Sequence, residues 1–343
     1  MCCPSGVQAC IFSATTAPPP SLGYFTTLTF LISMVQPPWD SKQLAFAFRN
    51  PTFRILLPAL LLVAGVATTT AQVAVDGFMR GAGRTSASVS FSTESYDEYW
   101  QGTTLRSNPN LGTISTQSVG LYVSGGITDY VDVILSLPYI SAQPSAGNWA
   151  SQSGLQDLGA AVKVRPLNLE VPEGNLSVIA AGSITTPVGD YIPDAPVAIG
   201  HYSTNFDSRV VVNYNTTFGG FATLQGGYIH RSNVDVDRGY TVAVPDAVDF
   251  IGKLGYYTGP FYVDAWMQRQ NAQSGTNLSP QAPFPTNKQS YTKIGATAYY
   301  SLPWVENLGV SVGFGTVLDG INVGKAMRIS GGISYGLPEW GGM

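Results

Sequence analysis

Gly126-Ile127-Thr128-Asp129-Tyr130-Val131-Asp132-Val133-Ile134-Leu135-Ser136-Leu137-Pro138-Tyr139 is the stretch whose reading decides the fold. Its first four residues are a turn. From there Val131, Val133, Leu135 and Leu137 fall on one face, and Tyr130, Asp132, Ile134 and Ser136 on the other. A period of two is strand geometry, because successive side chains leave a strand on opposite sides. One face is aliphatic throughout, and the other carries a carboxylate.

The pattern recurs downstream. In 156–166, Leu158, Ala160, Val162 and Val164 oppose Asp157, Gly159, Ala161, Lys163 and Arg165. In 246–257, Val248, Phe250, Leu254 and Tyr256 oppose Asp249, Ile251 and Lys253. In 289–301, Ile294, Ala296, Ala298 and Tyr300 oppose Lys293, Gly295, Thr297 and Tyr299. The other predicted strands are 85–96, 114–125, 130–139, 175–185, 207–217, 220–231, 260–271, 308–317 and 325–337. No amphipathic helix of useful length interrupts them.

A soluble sandwich also alternates, so connection lengths decide. Long gaps at 97–113, 140–155, 186–206, 232–245 and 272–288 alternate with short ones at 126–129, Phe218-Gly219 and Thr258-Gly259. Gaps 167–174 and 302–307 are somewhat longer than the other short ones, and 318–324 is short on the long side. Long loops at one end and short turns at the other are the organisation of outer-membrane barrels. The expected fold is therefore all-β: a transmembrane antiparallel up-and-down β-barrel of about 12 strands in a bacterial outer membrane. Its surroundings would be outer-membrane lipid and, during insertion, the barrel-assembly machinery. In lipid such a sheet must close, because an open edge would leave N–H and C=O groups unsatisfied in hydrocarbon. Aromatic residues near predicted strand ends (Tyr96, Tyr99, Trp100, Tyr130, Tyr139, Tyr228, Tyr256, Tyr257, Trp304, Tyr335) suit interfacial girdles.

Composition agrees. Only 11% of the 343 residues are charged, against about 25% in soluble domains. The longest apolar run, Ile55 to Ala67, follows Arg49 and Arg54 and contains Pro58 and Gly65. It is too short to span as a helix and reads as the core of a cleaved signal peptide, with cleavage near Ala71 or Gln72. The division is then 1–72, an upstream extension plus signal peptide with a possible true start at Met34, and 73–343, the barrel. All three cysteines (Cys2, Cys3, Cys10) precede the cut, so the mature chain has no disulfide or thiol chemistry. Its 14 basic and 20 acidic residues give a net charge of −6, which argues against nucleic acid. No phosphate loop, dinucleotide fingerprint or metal motif is present, and no cofactor is expected.

Gly126-Ile127-Thr128-Asp129, Val133 to Tyr139, Gly154-Leu155-Gln156-Asp157-Leu158-Gly159 and Lys163-Val164-Arg165-Pro166 together resemble a family of outer-membrane barrels named for the meta-pathway of phenol degradation. The resemblance covers most of 85–337. It implies transport of small, often hydrophobic compounds, and a loose similarity to long-chain fatty acid transporters. Only about a dozen residues separate the cut from the first strand, which argues against an N-terminal plug domain.

The expected function is passage of small, hydrophobic or aromatic solutes through a narrow charged lumen. By parity Asp132, Asp157, Lys163, Arg165, Arg209, Asp249, Lys253, Asp264, Lys293 and Arg328 face inward. They are candidates for a constriction, or for pairs that fill the lumen. One rival is a lipid hydrolase using His201 and Ser203, which period two places on one face, with Asn205 nearby. A twelve-stranded outer-membrane phospholipase is similar in outline. A second rival is a structural or adhesive barrel with a closed lumen. The loop Gly189-Asp190-Tyr191-Ile192-Pro193-Asp194 offers carboxylates for a cation, at a spacing that matches no known calcium loop.

Overall fold

Alternation of aliphatic and polar side chains over ten or more residues favours strands whose two faces meet different media. In the computed structural model, which describes residues 75–340, twelve long strands form. They are β1 (Thr85–Tyr96), β2 (Ile114–Thr128), β3 (Val131–Pro144), β4 (Asp157–Val171), β5 (Gly174–Pro187) and β6 (Asn205–Thr216). The remainder are β7 (Gly220–Arg231), β8 (Ala247–Thr258), β9 (Phe261–Ala272), β10 (Ser290–Ser301), β11 (Leu308–Ile321) and β12 (Met327–Leu337). Each pairs antiparallel with its sequence neighbours, and β12 returns to pair with β1 from Thr85↔Leu337 to Ser95↔Met327. The sheet is closed, so no edge is left unpaired. The predicted signal peptide, the start at Met34 and the three cysteines lie outside the described residues.

The sidedness is inside-out relative to a soluble protein. Leu224 and Leu254 point outward at 68% exposure each, with Val89, Leu135, Val210 and Ile329 around the same belt. The inward residues Lys163 and Asp249 are 0% exposed. A barrel with an aliphatic outside and a charged inside is stable only in lipid. Exposed aromatics at the short-turn end (Tyr130, Phe218, Tyr256, Phe261, Trp304, Tyr335) form the inner girdle.

Three residues assigned to girdles on sequence are elsewhere. Trp100 is buried because 98–107 folds back as a small ribbon and sets it on Val317 and Ala326. Tyr96 packs beside that cluster and beside Ile114. Tyr257 turns into the lumen against Phe78.

The short turns are tighter than their sequence spacing suggests. β4 continues to Val171 through a register shift between Val164 and Leu167. Pro166, which has no N–H to give the ladder, sits in that bulge. At the β6–β7 turn Gly219 has φ +97°, and a Cβ there would collide with the Tyr257 carbonyl oxygen, so a glycine is required.

Candidate functional site

Charge, aromatic rings and chain segments from many strands converge in the lumen. The ten residues before β1 enter it. The Val75 carbonyl accepts from Gln225 Nε2 (3.2 Å), and Asp76 pairs with Lys163 Nζ at 2.9 Å. Phe78 packs edge-on against Phe221, Tyr257 and Tyr262. Met79 closes a buried cluster with Ile179 and Val211. The Arg80 N–H donates to Asp132 Oδ2 (3.0 Å). Gly77 lies so close to the wall that a Cβ would stand 2.8 Å from Asn213 Oδ1. The segment leaves at the inner rim, where the Gly83 N–H donates to the Gly126 carbonyl. The sequence argued against a plug domain; a short segment nonetheless occupies the lumen. About nine residues, too few to be a domain, line the inner half of the lumen along β3 to β9.

The candidate charges fall mostly into closed pairs. Lys163 meets Asp132 at 3.3 Å as well as Asp76. Arg209 meets both Asp207 and Asp249 at 2.9 Å, and Lys253 meets Asp264 at 2.9 Å. Arg328 lies 3.7 Å from Glu94, and Asp157 accepts from the Tyr191 hydroxyl at 2.8 Å. Burial of such charges is tolerable only when they are paired and hydrogen-bonded. Arg165 sits at the inner rim, donating to the Asp129 carbonyl (2.9 Å) with its guanidinium over Tyr130. Lys293 rests over the Tyr291 ring at 4.4 Å.

The opposite wall, β11, β12 and β1, is built from small residues. Ser86, Ser88, Ser90, Ser311, Gly332 and Ser334 all face inward and are all partly accessible. Inward residues behind the N-terminal segment, such as Ile179, Val211 and Asn213, are 0% exposed. In the inner half the accessible part of the lumen thus runs off-centre, along the small-residue wall, whereas farther out Ser92, Val317 and Ser330 of the same strands are buried. Its flank carries aromatic rings packed against glycines. A Cβ at Gly295 would collide with Trp266, and one at Gly309 with Tyr299. Sequence parity placed the charges inward. It did not show which neighbouring-strand glycine Trp266 and Tyr299 would cover, which depends on register and rotamer, nor that the N-terminal segment would enter, whose contacts with the wall lie far away in sequence.

Outer loops fold over the mouth. Tyr191, Val197 and Ile199 bury against Ile114, Ile140 and Ala142. Asp194 accepts from Phe284 N (2.9 Å) and pairs with Arg238 (2.6 Å), joining three loops. It serves as a loop tie here, and among the described residues no cluster of three metal-ligating side chains occurs. The His201–Ser203 arrangement expected from period two is not formed. Tyr202 has φ +63°, which breaks the alternation, and the Ser203 hydroxyl donates to Asn205 Oδ1 at 2.8 Å. His201 bonds Gln289 instead, and burial together with Arg231 pushes its pKa down to about 3.

A closed barrel with a lipid-facing apolar belt and a polar, partly filled lumen defines an outer-membrane β-barrel. Among solved structures, the COG4313 outer membrane channel from Pseudomonas putida F1 is similar to this chain with a TM-score of 0.63 at 15% identity, covering 79% of this chain and 100% of that one. The NanC porin (TM-score 0.42, 9% identity, 72% and 99% covered) and the KdgM porin (0.37, 12%, 71% and 98%) are more distant, and no argument rests on them. At these identities the likeness shows the fold. No family model matches the sequence, and no curated protein matches it.

Proposed function

We propose that this barrel passes small hydrophobic or aromatic solutes along the off-centre path between its N-terminal segment and the wall of β11, β12 and β1. The observation that carries the reading is the contrast between the two walls. One is filled and lined with ion pairs, and the other is small, hydroxyl-rich and, in its inner half, accessible. Most lumen charges are already paired, so they supply the filling of one wall, and the passage is selected by width and by contact with the rings of Trp266 and Tyr299. Membership in the phenol meta-pathway family, which the sequence motifs suggest, agrees with such solutes. The hydrolase reading is not favoured, because Ser203 is bonded away from His201. The test is uptake across the outer membrane of a porin-depleted host. The chain should accelerate entry of a small aromatic alcohol far more than entry of a hexose, and Trp266→Leu should reduce that difference. Equal entry with and without the chain would refute the reading.

A further inference from the structure

The hinge by which the N-terminal segment turns from β1 into the lumen is held from two sides. Gly81 (φ +84°) and Gly83 (φ +73°) take the left-handed conformation that lets the chain reverse there. On one side stands the β2–β3 turn. The Gly83 N–H donates to the Gly126 carbonyl at 2.9 Å, and the Ala82 N–H to Asp129 Oδ1 at 3.1 Å. On the other side stands the end of the chain. β12 pairs as far as Leu337↔Thr85, and Pro338, which has no N–H for a ladder, follows.

Glu339 and Trp340 then cross the foot of β1. The Trp340 N–H donates to the Gly83 carbonyl (3.0 Å), and its indole Nε1 to Thr85 Oγ1 (2.8 Å). Glu339 Oε1 meets Arg84 Nε at 2.9 Å. The Gly126 carbonyl thus holds the peptide before Gly83, and Trp340 holds the peptide after it. Both soft dihedrals of that glycine are pinned, one by the turn and one by the C-terminal residues. The fit is close, since a Cβ on Gly83 would stand 2.3 Å from the Trp340 carbonyl oxygen. Lys163 secures the far end of the segment at Asp76, and these contacts secure its near end.

We infer that Glu339 and Trp340 form a strap that keeps the N-terminal segment seated, so that the end of the chain sets how much of the inner lumen stays filled. The strap acts through the hinge and holds whichever solute passes. Its two hydrogen bonds carry the effect, and the exposed ion pair adds little.

The test is labelling of Val211→Cys by a charged methanethiosulfonate in the full chain, purified from outer membranes and read at residue 211 by peptide mass spectrometry. Val211 faces the lumen, is 0% exposed and lies under Met79. Labelling there reports how often the segment leaves. A stop after Leu337, which keeps β12 whole, should speed it about tenfold or more. Trp340→Ala, which keeps the backbone bond, should give a smaller rise. Ile229→Cys is the control, because Ile229 is also buried and faces the outer half of the lumen, level with Asp207. Its labelling should not change. Unchanged labelling of Val211→Cys in the shortened barrel overturns the inference. So does an equal rise at Ile229→Cys, which would mean that the whole wall had loosened. Folding is read from the heat-dependent gel shift. Should the shortened chain not fold, Trp340→Ala decides, and no rise at Val211→Cys there overturns the inference.

Discussion

Replacing Lys163 by Met should release the N-terminal segment from the lumen wall while leaving the barrel closed. Lys163 is fully buried and holds Asp76 and Asp132 together, and its ammonium also donates to the Phe78 carbonyl. Removing one partner of a buried ion pair costs about 3–5 kcal/mol, because the other is left uncompensated. Asp132 is 0% exposed while the segment covers it. It regains water only if residues 75–83 leave. The opening equilibrium should therefore rise by about two to three and a half orders of magnitude, since each 1.4 kcal/mol is tenfold. Strand pairing does not pass through Lys163's side chain, so the heat-dependent gel shift should persist. Limited trypsinolysis reads the change directly. The Arg80–Gly81 bond is shielded against Asp132 in the wild type and should be cut far faster in Lys163→Met. Adding Asp132→Asn should restore much of the protection, because the uncompensated charge is gone. Equal cleavage of wild type and Lys163→Met, with the barrel intact, would refute the reasoning.

Asp194→Ala removes the tie among loops 188–204, 232–246 and 273–289, and protease cleavage within them should rise with barrel melting unchanged. Loop docking should also weaken with acid. The docked His201 is held neutral down to about pH 3, whereas the undocked imidazole takes a proton below about pH 6.5. Docking free energy is therefore intact above that value and falls by about 2 kcal/mol by pH 5, at 1.36 kcal/mol per unit. Hydrogen exchange of 188–204 at pH 7 and pH 5 checks this, and His201→Gln should flatten the dependence. Gly295→Ala forces a methyl into Trp266 and the Phe314 carbonyl and should lower barrel stability by about 1–3 kcal/mol, read from urea unfolding.

Strand positions were legible because lipid and lumen impose opposite demands on alternate residues. Thr85–Tyr96 and Gly220–Arg231 fall where the alternation places them. Boundaries drifted where the chain alone did not specify them. β4 runs on through the Pro166 bulge, and β11 extends to Ile321. The inward charges followed from parity, but their pairing did not, since Arg209 and Asp249 lie forty residues apart. The N-terminal segment was the largest omission. Val75 to Gly83 has no period, and the contacts that hold it to the wall are non-local. A signal did exist in the strands it covers. Val210-Val211-Val212 breaks the apolar-polar alternation, and Val211 is apolar on the lumen face because Met79 covers it. Trp100 misled for a related reason, as a loop that folds back buries an aromatic that strand-end placement assigns to lipid.

The off-centre path is the central claim, and thiol modification during single-channel recording tests it most directly. The described residues contain no cysteine, so Ser334→Cys, Ser311→Cys and Asn213→Cys each introduce one reporter. Steady current is predicted, cut sharply by a charged methanethiosulfonate at Ser334→Cys and Ser311→Cys and unaffected at Asn213→Cys, which lies behind the N-terminal segment. A folded barrel without steady current, or one blocked at Asn213→Cys and indifferent at both serine positions, would contradict the account.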